Sequence, residues 1–174
     1  LRTDPRFYAR SADELLREAA WIAKQMDGRL PALFHVRTLP RQPYGVAPVP
    51  PHLQPRYTGG RYIPAPPASR TGAYYWVNPY PLDGRPLYVL EALTLHEAVP
   101  GHHLQHAIRQ ELTGVHPFRR WVSFSAFGEG WALSAERPAK EVGFYAHPYR
   151  EFGRPTYDMP RACLRGVDTG PPAL

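Results

Sequence analysis

Apolar positions recur with helical spacing near the start of the chain. Over residues 11–27, SADELLREAAWIAKQMD, the residues Leu15, Leu16, Ala19, Ile22, Ala23 and Met26 fall on one stripe, which predicts an amphipathic helix. Ser11 is placed to cap it, Glu14 stands three positions on as in a capping box, and Gly28 closes it. The pattern then dissolves. Residues 30–70 hold ten prolines, so this long stretch reads as extended or turn-rich chain. Phe34, Val36, Tyr44, Val46, Leu53, Tyr57 and Tyr62 recur within it, which argues that it packs against something. The run Ala73-Tyr74-Tyr75-Trp76-Val77-Asn78 reads as a short strand, stopped by Pro79 and Pro81. Helical patterning returns over 86–99, over 102–113 and within 118–142, and residues 146–174 are polar, proline-rich and weakly patterned.

The expected class is therefore mostly α with some β (α+β). One partial domain spans 1–174: the helix at 11–27, the proline-rich segment at 30–70, a core at 73–142 and an irregular tail at 143–174. No apolar run approaches the roughly 18 residues of a membrane span. The opening LRTDPRFYAR is no signal peptide and lacks an initiator Met. The chain reads as an internal slice of something longer, and its compartment and oligomeric state cannot be read from it. The net charge of +6 comes from basic residues scattered along the chain. Without a dense basic run or stripe, no nucleic-acid partner is expected. A single cysteine, Cys163, rules out an internal disulfide framework.

Two segments carry chemistry. The first is His96-Glu97-Ala98-Val99-Pro100-Gly101-His102-His103. A His-Glu pair on a helix opens the zincin signature, in which a second His four residues on shares the metal and the Glu acts as base. Here that fourth position is Pro100. On a straight helix His102 would stand about 240° round from His96, and His103 in line but about 10.5 Å along the axis. Pro100 and Gly101 favour a break that could return His102 to the side of His96. The second segment is Glu129-Gly130-Trp131-Ala132-Leu133-Ser134-Ala135-Glu136, whose glutamates lie seven apart. That places them on one helix face, so that one can ligate and the other orient a ligand histidine. Trp131 reads as core, and Gly130 as a point of close approach to a metal or another helix.

Taken together these segments resemble the bacterial family of domain of unknown function 885 (DUF885), regarded as zincin-like metallopeptidases. Its pattern runs HEAxPGHHxQ, FxEGWALYAE and RACRLVVDTG. The matching stretches here are His96–Gln105, Phe127–Glu136 and Arg161–Gly170, within a resemblance over roughly residues 30–170. The resemblance implies a helical metallopeptidase fold and a zinc ion held by His96, His102 and Glu129. His103 stays open as the alternative second histidine. It also implies Glu97 as general base and a peptide-like substrate. Tyr145, Tyr149 and Tyr157 are candidate oxyanion donors by type and position. Ser134 stands where the family has Tyr, and Pro138, Pro155 and Pro160 stand where it favours helix-compatible residues. These departures raise an alternative to the hydrolase, a truncated and inactive remnant that still binds metal.

Overall fold

The computed structural model describes residues 1–66 and 71–156. Its helices are α1 (Ala12–Leu33), α2 (Leu87–Glu97), α3 (His102–Glu111), α4 (Pro117–Trp121) and α5 (Ser125–Ala135), and residues 148–156 are also helical. Three strands, β1 (Tyr44–Pro48), β2 (Gly60–Ile63) and β3 (Ala73–Val77), form one sheet in the order β1-β3-β2. The protein is thus mostly α with a small sheet. No helix among the described residues is long and apolar enough to cross a membrane.

α1 begins as its sequence predicts. The Ser11 hydroxyl accepts the Glu14 N–H at 3.2 Å, and the Glu14 carboxylate accepts the Arg10 N–H at 2.7 Å. The helix does not stop at Gly28 but continues through Pro31 to Leu33. Gly28 is exposed, whereas Leu30 is buried and Leu33 packs on the core. The apolar stripe therefore runs on past the glycine, and burial of Leu30 and Leu33 outweighs a local cost of about 1 kcal/mol for Gly28.

The proline-rich segment supplies two of the strands. β1 runs parallel to β3 with Val46 opposite Tyr75, and β2 runs antiparallel to it with Tyr62 opposite Tyr75. Pro48 is tolerated because it closes a strand at the sheet edge. Tyr62, Ala65 and Ala73 form a small buried cluster there, with Tyr44 packed against it.

The principal core joins α1, α2 and the inner face of β3, through Leu15, Ile22, Met26, Tyr75, Val77 and Leu95. α2 is enclosed on nearly all sides, with every residue from Leu90 to His96 buried. This matches a helix apolar all round rather than striped. Its buried Glu91 accepts the Tyr145 N–H at 2.5 Å and an Arg150 N–H at 2.8 Å, and Arg150 also pairs with Glu18 of α1. The helical residues 148–156 correct the expectation of an irregular tail from 143. They cross α2 so closely that a Cβ on Gly153 would lie 1.7 Å from the Tyr88 carbonyl oxygen. The segment at 118–142 divides into the end of α4, α5 and a 3-10 turn over Pro138–Val142. Pro138 opens that turn, where a missing N–H costs nothing. Arg161–Gly170, with Cys163 and Pro160, and Tyr157 lie outside the described residues.

Candidate metal centre

α2 ends at Glu97 and α3 begins at His102, so the HEAVPGHH segment is a tight connection between two helices. The Gly101 N–H donates to the Leu95 carbonyl at 3.0 Å and the His103 N–H to that of Ala98 at 2.9 Å. Gly101 lies directly on the end of α2: a Cβ there would sit 1.9 Å from the His96 carbonyl oxygen. The Trp131 indole N–H of α5 donates to the Pro100 carbonyl at 3.0 Å, which fastens α5 to the connection. Trp131 is thus a packing residue, as its sequence context predicts.

This folding brings His96, His102 and Glu129 together, with one donor atom from each within 4.8 Å of the others. His96 Nε2 is 3.4 Å from Glu129 Oε2, His102 Nε2 is 3.6 Å from Glu129 Oε1, and the two imidazole rings stand 4.9 Å apart at 86°. A tetrahedral ion with bonds of about 2.1 Å separates its ligand atoms by about 3.4 Å. Each imidazole Nε2 lies near that separation from one oxygen of the Glu129 carboxylate, so the three side chains can hold a divalent transition metal, and each helix α2, α3 and α5 contributes one. His96 is nearly buried, whereas the Glu129 side chain is 68% exposed, so the cluster opens to the surface on the α5 side.

His96 Nδ1 lies 2.8 Å from Oε1 of the buried Glu136, which terminates α5. This contact directs Nε2 toward the cluster and raises the ring's basicity as a ligand. The glutamates seven apart thus divide the two roles: Glu129 faces the donor cluster and Glu136 orients His96. Replacing Glu136 by Gln keeps an acceptor but removes its charge. Zinc affinity of that variant should fall about tenfold in competition with a chelating dye, and unchanged affinity would count against the orienting role. His102 Nδ1 is 3.4 Å from Gln105 Oε1, and Gln105 in turn donates to the Phe127 carbonyl of α5.

Glu97, next to His96, accepts the Tyr62 N–H of β2 at 2.8 Å. Sequence reasoning had no means of finding Tyr62, whose role depends on a strand that crosses from another part of the chain. His103 lies outside the donor cluster, with Nδ1 3.4 Å from the Tyr62 hydroxyl, Nε2 3.1 Å from the Gln42 carbonyl oxygen and its ring against Tyr44. Gly130 makes no close approach, since a Cβ there would meet nothing within 4 Å. Tyr145 is buried in the principal core, and Tyr149 stacks on His147 and meets Phe7 edge-on. A cavity of about 510 Å³ lies elsewhere, lined by Tyr8, Leu15, Val77, Tyr88 and Leu93, and none of the cluster residues reaches it.

Burial holds the His103 pKa down to about 4, against an ordinary 6.5. A depressed histidine is neutral in the fold but charges in the unfolded chain as pH drops through 6.5. Its contribution is complete above that value and disappears between about pH 6.5 and pH 4, amounting to about 3 kcal/mol. Metal-free protein should lose urea resistance across this window, and His103→Phe should reduce the loss, the buried His106 ring, also held down to about 4, keeping a share of it. A profile identical in the variant would refute the assignment.

The cluster is a helix-borne pair of histidines and a glutamate arranged as a metal site. The chain belongs to the family described as bacterial protein of unknown function (DUF885), which it matches over residues 1–171. No curated protein matches it in sequence. In structure it is similar to a crystal structure described as that of "the putative lipoprotein from Colwellia psychrerythraea", with a TM-score of 0.90 and 32% identity. That likeness covers 97% of this chain and 29% of the Colwellia chain, so this chain spans under a third of its neighbour's length.

Proposed function

We propose that the chain is a zinc-dependent hydrolase of peptide or related amide bonds. The observation that carries this reading is the convergence of His96, His102 and Glu129 from three helices, with the carboxylate-bearing Glu97 following His96 in sequence. Two imidazoles and a carboxylate form the ligand set of hydrolytic zinc sites, which leave a position open. When bound, zinc supplies Lewis acidity, polarising a carbonyl and bringing the pKa of water toward about 7.

The chain's own residues do the remainder. Glu136 holds His96 by Nδ1. The Tyr62 amide fixes Oε2 of Glu97, which orients the carboxylate as a general base. Glu97 takes a proton from the attacking water and returns it to the departing amine. The exposed side of Glu129 admits substrate without displacement of the buried His96.

Glu97→Gln should retain zinc while hydrolysis of a quenched peptide library falls by about 10²- to 10⁴-fold. Undiminished turnover by that variant would remove Glu97 from the reaction. A second reading, favoured by the departure at Ser134 from the family's pattern, is a domain that binds zinc without turnover. Stoichiometric zinc with no hydrolysis by the unaltered chain would select it.

A further inference from the structure

α4 and α5 carry large apolar side chains that the fold leaves outside. Phe118, Trp121, Phe124 and Phe127 are each between half and two thirds exposed. α5 packs inward only through small or polar-tipped residues, chiefly Ala132, Ala135 and Trp131. Four exposed aromatics fall within ten residues, and exposed apolar side chains gathered in this way mark binding surfaces.

The same face is basic. Between residues 112 and 133 the charged side chains are Arg119, Arg120 and Glu129. Neither Arg119 nor Arg120 pairs with a carboxylate among the described residues, and the Nε of Arg120 is buried without a partner. An anionic group on the occupant would complete them.

The face is also continuous with the metal cluster. Arg109 donates to the Val122 carbonyl, and Gln105 to the Phe127 carbonyl. Residues 122–127 therefore run antiparallel along α3, from its far end back toward His102.

We infer that this aromatic and basic stretch of α4 and α5 binds the substrate, a peptide with bulky apolar side chains and a carboxylate. The inference rests on the hydrolase reading and adds a substrate class to it. The aromatic rings take the apolar side chains, and Arg119 and Arg120 take the carboxylate.

The test uses zinc-loaded Glu97→Gln protein and two blocked hexapeptides with the same leucine and phenylalanine centre, one ending in two glutamates and one in two lysines. Calorimetric titration should show the acidic peptide binding at least about fivefold more tightly. Arg119→Glu with Arg120→Glu should remove or reverse that preference, and the exposed single variant Arg119→Glu should reduce it if the double variant fails to fold. Phe124→Ser with Phe127→Ser should weaken both peptides. Equal affinities, or a preference untouched by charge reversal, overturn the inference, as does a single-stranded oligonucleotide that displaces the acidic peptide. Unaltered protein that binds the acidic peptide by this face but does not cleave it sinks the hydrolase reading and leaves the surface standing. Cleavage of both peptides alike does the reverse.

Discussion

Purified protein should carry one zinc ion per chain by plasma mass spectrometry, and His96→Ala should carry none after dialysis. Structural zinc sites contribute about 10–16 kcal/mol over four ligands, or roughly 3 kcal/mol for each. Loss of one ligand therefore weakens the site by a few hundredfold, enough for a mild chelator to strip it. His96→Ala also removes a close partner of the buried Glu136 carboxylate, so part of its effect falls on folding. His102→Ala separates the two, because His102 is more exposed and its hydrogen bond to Gln105, at 3.4 Å, is long. Folded His102→Ala protein without zinc, beside zinc-bearing unaltered protein, would establish the ligand set. Full zinc retention in both variants would sink the site as drawn.

Gly101→Ala should destabilise the protein by about 3–5 kcal/mol and abolish metal binding with it. The added methyl would lie 1.9 Å from the His96 carbonyl oxygen and 2.5 Å from its carbon. Both are backbone atoms at the end of a buried helix, so neither side chain rotation nor solvent can relieve the overlap. The matched control is Gly130→Ala, where the methyl meets nothing within 4 Å. On α5 that change should stabilise by about 1 kcal/mol. Urea midpoints moving in opposite directions would support the geometry of the connection. A harmless Gly101→Ala would mean that α2 and α3 are joined differently.

Much of the site was legible before its geometry. Helix periodicity already shows that a straight helix cannot bring His96 and His102 to one ion, and Pro100-Gly101 marks where it must break. The spacing of Glu129 and Glu136 places them on one face, but only the packing of α5 against α2 decides which of them meets His96 Nδ1. The place of His103 is set by contacts with Gln42, Tyr44 and Tyr62, all from the proline-rich segment. Long-range strand pairing put those residues there, and local pattern carries no information about it. The end of α1 departs from its sequence signal for a different reason. Gly28 is a stop signal, yet Leu30 and Leu33 continue the stripe, and burial outweighs propensity at an exposed glycine. Pro138 gave a similar false signal, since a proline breaks a helix only when it lies inside one.

The uneven seating of the three helices has a thermodynamic corollary. α2 is embedded, whereas α5 is anchored through Trp131, Glu136 and a few alanines. An ion spanning α2, α3 and α5 acts as a clasp on the loosest of them. By linkage, ion at a thousand times its dissociation constant adds about 4 kcal/mol to the closed arrangement. Amide hydrogens of α5 should then be the ones whose exchange slows most on loading, while those of α2 barely change.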